Sequence, residues 1–422
     1  MAKPQKPTNT ERANLFRFNL MGLIVFSLAL MAGTAFIDNK FYQSRPRKLA
    51  DPFVVDPNDK TRSDHVGPWG ELVTRDIILE RPAELVTAEA TTLGPEMWAF
   101  RGMKLAAVKG LLAKAGLSPA QIGALTATGA IQEDATGTVL KPAPEIILSL
   151  DPRTRQQLCA GMAGLHANEH LDSPLFFSAK IIQSIYADGQ LSPEDLACLK
   201  QLVYQDGEIT ILANYQILME KIPTVQRRVA MARALSRQSA VLAGLAIKPD
   251  TDIEKIAAYW SHLDGVRFND IRPMLEALNR LPEGGDLRLF WLLPKFARDR
   301  LYTFPLPSQS GDPYMDCNWT TYNFLTEATT GKLANSTNLV DFLNQDYYAV
   351  QTPSVCGDIL LVMNEDQTQI LHSAVYLADD LVFTKNGGGI NQPWMIMHIP
   401  DLVDIYHGTK PVKVIYMREK TN

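Results

Sequence analysis

The longest apolar stretch of the chain lies near its N-terminus. Phe18 to Ile37 form a run of 20 residues without a charged side chain. About 20 apolar residues in a helix are what a bilayer crossing requires, so the run predicts a membrane or export segment. Its full spanning length and the polar leader before it favour a retained anchor. Gly33-Thr34-Ala35 resembles a cleavage site and leaves a removed signal peptide as the alternative.

The next 30 residues, 38–67, mix proline, aspartate and basic side chains without hydrophobic periodicity. This composition predicts a linker that holds the body of the protein away from the membrane. We expect the short N-terminal tail inside the cell and the body on the exported side.

Residues 68–300 carry mostly helical signals. Ser118 and Ser192 each precede a proline, the arrangement of an N-cap followed by the first helical turn. Thr251 with Glu254 fits a capping box. After it, Ile253, Ile256, Trp260 and Leu263 line one helical stripe. We therefore expect a mostly helical middle domain whose aromatic and methionine side chains are core.

The pattern changes after Leu301 to short apolar runs bounded by turns. The predicted strands are Ile359 to Met363, Ile370 to Leu377, Leu381 to Lys385 and Val412 to Met417. Their short connections imply an antiparallel meander, preceded by one helix that starts near Cys317. The expected fold class is α+β. The predicted divisions of the chain are a tail and membrane or signal segment (1–37), a linker (38–67), a mostly helical domain (68–300) and a C-terminal domain (301–422).

Composition supports this division. The chain has 422 residues, 46% of them apolar and 21% charged, which suits two folded domains and a leader. The first 37 residues carry four basic side chains and one acidic one, so the total charge of −5 leaves −8 for the rest. An acidic body without a Lys/Arg cluster argues against a nucleic-acid partner. Four cysteines are too few for a disulfide framework, and Cys159 and Cys198 either pair or are inert buried thiols.

Three short motifs follow one another in the C-terminal region. They are Asp316-Cys317, Gly357-Asp358 before a predicted strand, and His372 at the start of the next strand, 55 residues after Cys317. The region resembles the NlpC/P60 family of papain-like cysteine peptidases and amidases over about its last 110 residues. Asn318 and Trp319 stand where the family usually has Ser-Gly, and Cys356 stands where it often has proline.

The resemblance implies that Cys317 is the nucleophile and His372 its base. A thiol must be ionised to attack a carbonyl, and a helix N-terminus together with an imidazolium would stabilise the thiolate. The Cys317 backbone N–H would donate to the oxyanion, with Tyr314 and Asp316 as supporting residues. A third group must orient the imidazole. Asn386 is our first choice because its amide oxygen accepts an N–H, and Thr384 is the second.

Two other motifs stand out in the sequence. His166-Ala167-Asn168-Glu169-His170 is an H-x-x-E-H pattern, but Asp172-Ser173-Pro174 ends the helix before a further zinc ligand, so a capped helix end is favoured. Gly387-Gly388-Gly389 lacks the Lys-Ser/Thr of a phosphate loop and is interpreted as a mobile loop. No metal or cofactor is predicted.

These observations favour a membrane-tethered, extracytoplasmic cysteine hydrolase that cleaves an amide bond. Peptidoglycan stem peptides are the substrate that the resemblance implies. Two alternatives remain, namely a lipid or acyl amidase or acyltransferase at the membrane surface, and a non-catalytic scaffold. The partner of residues 68–300 is not specified by the sequence.

The first prediction concerns topology. The body should fractionate with membranes and be cut by protease added from the exported side, because the run Phe18 to Ile37 is long enough to span. Cell fractionation with mass spectrometry of the N-terminus checks this. A soluble protein that begins at Phe36 would instead establish cleavage after Ala35.

Overall fold

The computed structural model describes residues 53–54, 62–92, 94–127, 129–163, 165, 168, 174–262, 267–306, 315–326, 336–407 and 411–420. The predicted membrane segment Phe18 to Ile37 lies outside these ranges, as do most of the linker, Tyr314 and both histidines of the H-x-x-E-H motif. Within the described ranges, no helix has the length and apolar character needed to cross a bilayer.

Strands and helices alternate through the first part of the described chain. The strands are β1 (Phe53–Val54), β2 (Arg62–Gly67), β3 (Gly70–Leu79), β4 (Trp98–Arg101), β5 (Ile131–Glu133), β6 (Gly137–Leu140), β7 (Leu175–Phe177), β8 (Tyr204–Asp206), β9 (Ile209–Leu212), β10 (Gln238–Ile247) and β11 (Gly285–Arg288). The helices are α1 (Ala83–Thr91), α2 (Leu105–Lys114), α3 (Pro119–Leu125), α4 (Pro144–Leu148), α5 (Pro152–Ala163), α6 (Ala179–Tyr186), α7 (Pro193–Leu202), α8 (Tyr215–Lys221), α9 (Val225–Leu235), α10 (Ile253–Trp260), α11 (Phe268–Asn279), a 3₁₀ turn (Leu289–Leu292) and α12 (Lys295–Arg298).

The C-terminal part adds one larger sheet and three helices. They are α13 (Cys317–Thr326), α14 (Ser336–Asp346), β12 (Tyr347–Val350), β13 (Ile359–Asn364), β14 (Ile370–Ala378), β15 (Leu381–Lys385), β16 (Trp394–His398), α15 (Ile399–Tyr406) and β17 (Val412–Glu419). The six strands are antiparallel in the order β12-β17-β13-β14-β15-β16. The four predicted strands and the helix beginning at Cys317 are confirmed, whereas β12, β16, α14 and α15 were not predicted.

Residues 68–300 contain sheets that the sequence analysis missed. Strands β3, β10 and β11 form a five-stranded sheet together with β1 and β2, and β4-β6-β5 and β7-β9-β8 form two three-stranded sheets. Because β1 and β2 lie within residues 38–67 and pair with β3, part of the predicted linker belongs to the folded body. The fold is therefore mixed α+β throughout. Strand β10 (QSAVLAGLAI) is nearly continuously apolar and buried, and such a run cannot be told from a buried helix by periodicity. The other strands missed are mostly three or four residues long.

Helix N-caps follow the sequence signals with one shift. The Ser118 hydroxyl accepts from Gln121 N at 3.3 Å, and Gln121 Oε1 accepts from Ser118 N at 2.9 Å, which completes a capping box. Ser192 caps α7 by accepting from the N–H of Asp195. At α10 the cap is Asp252 and not Thr251, because it is the Asp252 carboxylate that accepts from the third helical N–H.

The core joins the two regions that the sequence analysis separated at residue 300. One cluster of buried side chains contains Leu245 of β10 together with Phe383 of β15 and Trp319 of α13. A second cluster contains Ile77 of β3 together with Val382 of β15. The described residues of both regions belong to one compact unit. The five-stranded and six-stranded sheets therefore stabilise each other through shared apolar contacts.

The Gly-Asp motif has a structural role at the start of β13. Gly357 adopts a φ of 103°, which favours glycine, and its N–H donates to the Tyr376 carbonyl. The Asp358 carboxylate is 2% exposed and accepts from the backbone N–H groups of Ser354 and Val355 at 2.9 and 3.1 Å. It also accepts two bonds from Arg418 of β17, at 2.8 and 2.7 Å. Asp358 thus ties the loop before β13 to the neighbouring strand.

The second prediction tests this role. Asp358→Asn should lower the free energy of unfolding by about 2–3 kcal/mol, because it removes the charge that compensates Arg418. Urea denaturation measures the change. Asp366→Asn, in the exposed turn after β13, is the matched control and should stay within about 0.5 kcal/mol of the wild type. Equal effects at both positions would contradict the structural role.

Candidate functional site

Cys317 is the first residue of α13, as the sequence predicts. The preceding residue, Asp316, caps the helix, because its carboxylate accepts from the backbone N–H of Trp319 at 2.9 Å. The supporting role of Asp316 at the oxyanion stays a prediction. The thiol itself is buried, with 8% of the residue exposed. The nucleophile candidate thus lies at a helix N-terminus, where partial positive charge favours anions.

A buried polar cluster surrounds the thiol. Cys317 Sγ lies 3.8 Å from Asn318 Oδ1, which also accepts from the Ser373 hydroxyl at 3.0 Å. The Ser373 hydroxyl in turn lies 3.0 Å from the hydroxyl of Thr321, one turn along the helix. These contacts dock α13 onto β14. They show that Ser373 is the residue of β14 that faces the helix bearing Cys317.

His372 faces the opposite side of the sheet. Successive side chains of a strand alternate between its faces, so the neighbour of Ser373 points away from α13. There its ring stacks on Tyr406 of α15, with centroids 4.7 Å apart and planes inclined by 25°. Its Nδ1 lies 2.8 Å from the Tyr406 hydroxyl, and its Nε2 lies 2.7 Å from Thr384 Oγ1.

The predicted Cys317–His372 pair is therefore not joined in this structure. Both ring nitrogens of the fully buried His372 are occupied by hydroxyl groups, and no hydrogen bond links the ring to the thiol. Sequence reasoning missed Tyr406, since it belongs to a helix that was not predicted. The sequence does carry a signal for this helix, since the stretch Ile399 to Tyr406 is amphipathic and has a proline at its second position.

The structure distinguishes the two candidates for the orienting group. Thr384 and Asn386 share a face of β15 and its extension, as predicted from their spacing, but it is Thr384 that hydrogen-bonds His372. The Asn386 amide donates to Met397 Sδ at 3.2 Å, while its buried Oδ1 lacks a partner. In this structure it is therefore Thr384, and not the preferred Asn386, that is placed to orient the ring.

Electrostatics favour neutral forms of the two predicted catalytic groups. Burial, followed by the nearby Asp316 carboxylate, raises the pKa of the Cys317 thiol to about 11, although the N–H and hydroxyl of Ser373 act to lower it. Burial alone lowers the pKa of His372 to about 3. Near neutral pH this geometry therefore holds a thiol and an uncharged imidazole.

The remaining cysteines are free. Burial raises the pKa of Cys159 to about 12, and Cys198 is shifted in the same direction for the same reason. Cys356 is fully buried in the apolar cluster beneath α13, which confirms its interpretation as a packed small side chain. Cys317 is thus the one of the four placed at the start of a helix beside a polar cluster.

The other motifs contribute little to this site. Of the H-x-x-E-H pattern only Asn168 is described, and its amide bonds both the N–H and the carbonyl of Ala99. Among the described residues no group of His, Cys, Asp or Glu could hold a metal ion. The glycine run has a defined contact, since the carbonyls of Gly387 and Gly389 accept from the Lys385 ammonium.

No family model, curated protein or solved structure matches this chain. The resemblance to NlpC/P60 enzymes therefore depends on the residues and their positions. Three of those positions have the secondary structure that the resemblance implies, with Cys317 opening a helix, Gly357-Asp358 preceding β13 and His372 lying in β14.

The third prediction concerns stability in acid. The folded pKa of His372 lies below its ordinary value of 6.5, so the unfolded chain takes up a proton first as the pH falls. The stabilising effect of the neutral ring is complete above about pH 6.5 and is lost towards about pH 3. His372→Gln should therefore flatten the fall of stability across this window. Urea midpoints measured at several pH values test it, with the exposed His262→Gln as control. An unchanged slope in His372→Gln would contradict the assignment.

Proposed function

We propose that this protein is an extracytoplasmic cysteine hydrolase of the NlpC/P60 type, with Cys317 as nucleophile and His372 as base. The observation that supports this most strongly is that Cys317 opens a helix packed directly on the strand that carries His372. Peptidoglycan stem peptides are the substrate class that the resemblance implies. The apolar run Phe18 to Ile37 would tether the enzyme to the membrane on its exported side.

The reaction would proceed through a thioester. The imidazole of His372 takes the proton from Cys317 Sγ, and the thiolate attacks the amide carbonyl carbon. Backbone N–H groups of the first turn of α13 stabilise the oxyanion. The amide C–N bond then breaks as the imidazolium protonates the leaving amine, and water hydrolyses the thioester to release the acid and the free thiol.

This mechanism requires a rearrangement from the geometry described. Nδ1 of His372 bonds Tyr406, and the ring lies on the face of β14 opposite Ser373. The ring must release the Tyr406 hydroxyl before it can reach the thiol. The bond between Nε2 and Thr384 is compatible with the orienting role in the active arrangement.

A second candidate function is a non-catalytic scaffold that only binds its ligand. It is favoured by the observation that both nitrogens of His372 are occupied and that the thiol is neutral and buried. In that case Cys317 and His372 would be packing residues. Activity measurements separate the two candidates.

The fourth prediction tests the hydrolase. Purified peptidoglycan incubated with the full chain should release peptides with new termini, detected by mass spectrometry, and Cys317→Ala should abolish this release. Thr384→Val should lower turnover by about tenfold or more, since the imidazole loses its orienting hydroxyl. Asn386→Ala, two residues along the same face, is the matched control and should have a smaller effect.

Two outcomes would contradict this proposal. Release of the same products by wild type and Cys317→Ala would exclude a thioester at this residue. Binding to peptidoglycan without any release, in a folded wild-type protein, would favour the scaffold. A larger loss in Asn386→Ala than in Thr384→Val would leave the hydrolase intact but reassign the orienting group.

A further inference from the structure

Lys385, the last residue of β15, is completely buried. Its ammonium donates to the carbonyl oxygens of Gly387 at 2.5 Å and Gly389 at 3.2 Å, and it lies 5.6 Å from the centre of the Trp394 ring. All three contacts are uncharged. A buried ammonium is unfavourable unless negative charge or strong hydrogen bonds compensate it, so the position calls for an anionic neighbour.

The acidic groups whose charge acts on this ammonium are Asp316 and Cys317. Asp316 acts the more strongly of the two, and its carboxylate also accepts from the Trp319 N–H at the N-terminus of α13. The Cys317 thiol is the group that gains negative charge when it ionises. Lys385 is thus a buried amine within electrostatic range of both Asp316 and the thiol at the start of α13.

The strand pairing places Lys385 on the side of the sheet that faces α13 and Cys317. Val375 pairs with Phe383, so Ser373 and Lys385 lie opposite each other two positions further along the antiparallel strands. Ser373 bonds Asn318, which contacts Cys317 Sγ at 3.8 Å. Thr384, by contrast, points to His372 on the other face. Lys385 therefore shares its face with Cys317, whereas His372 does not.

A second contact ties the ammonium to the same helix. The Trp394 indole beneath Lys385 donates to the Thr320 hydroxyl at 3.1 Å, one turn after Cys317. The ring thereby fixes α13 relative to β15. The aromatic neighbour of the ammonium and the side chains of α13 that pack beside it, such as Trp319, belong to one apolar cluster.

We infer that Lys385 is the positioning residue that stabilises the thiolate of Cys317 by its positive charge. This inference rests on the proposed hydrolase and deepens it, since it assigns to Lys385 the charge that His372 does not supply in this geometry. In the ionisation step the S–H bond of Cys317 breaks, and its proton goes to His372 in the proposed reaction or to solvent in the free protein. The electron pair remains on sulfur, on the side of the sheet that also holds the ammonium, and no other reactant is needed.

The charge on Lys385 sets a pH window. Burial lowers the pKa of this amine to about 8, so it is protonated below that pH and loses its charge above it. Stabilisation of the thiolate is therefore present near neutral pH and fades as the pH rises through about 8. A purely structural lysine that only holds the glycine loop would not change the reactivity of Cys317 in this way.

The experiment follows alkylation of Cys317 in the folded, full-length chain with iodoacetamide, from about pH 6 to about pH 9. Mass spectrometry of the peptide that contains Cys317 gives its rate, and the peptide with Cys356 is an internal reference. Lys385→Met should slow labelling near pH 6.5 by about tenfold or more and move the profile up by at least about one unit. Lys385→Arg keeps the charge and should retain most of the wild-type rate. Lys413→Met, at an exposed position of β17, is the control.

A second measurement needs no variant and covers the case in which Lys385→Met does not fold. The ratio of labelling by anionic iodoacetate to labelling by neutral iodoacetamide should be higher at Cys317 than at Cys198, and should fall above about pH 8 as the amine loses its proton. A constant ratio across that pH, or a wild-type profile in folded Lys385→Met, overturns the inference while leaving the hydrolase in place. Labelling of wild-type Cys317 no faster than that of Cys356 overturns the proposed hydrolase itself.

Discussion

Burial of β14 on both faces determines the arrangement of the candidate site. All of its residues from His372 to Ala378 are buried, with α13 on one side and α15 on the other. Because side chains alternate along a strand, one face takes Ser373 and the other takes His372. Moving His372 to the helix side by a slip of one residue would bury the wrong set of side chains on both faces. The positions of Cys317 and His372 on opposite sides are therefore consequences of the whole sheet.

The same constraint joins the two regions of the chain. The second face of the six-stranded sheet packs on β3 and β10, so the middle region completes the core of the C-terminal region. Polar contacts reinforce this packing. The buried Arg81 guanidinium donates to Asn391 Oδ1 at 2.6 Å, beside the glycine loop. His398 bonds Asp380 and lies near Asp76 of β3, and these contacts raise its pKa to about 9. Through Arg81, the middle region thus helps to hold the segment next to the glycine loop, whose carbonyls bond Lys385.

Much of the C-terminal fold could be predicted because its local signals agree with one another. The strands at Ile359, Ile370 and Leu381 are short apolar runs ended by turns, and each begins at the predicted residue. The helix at Cys317 was predictable as well. In contrast, β10 could not be assigned, since a strand buried on both faces loses the alternation that identifies it. The choice between Thr384 and Asn386 depended on the register with β14 and on α15, which are tertiary features that local patterns do not specify.

The candidate site illustrates why residue types alone do not define an active centre. The motif places a cysteine and a histidine in the right order, but ionising the thiol requires a positive charge on its own side of the sheet. In this geometry the imidazole is neutral and bonds two hydroxyls, whereas Lys385 is a buried cation on the side of the thiol. In the sequence, Lys385 is only the residue between two candidate orienting groups. Lysines in proteins are usually solvated, so nothing there indicates that this one is buried. Its significance follows from pairing, alternation and burial together, and it supplies the charge that the predicted dyad lacks.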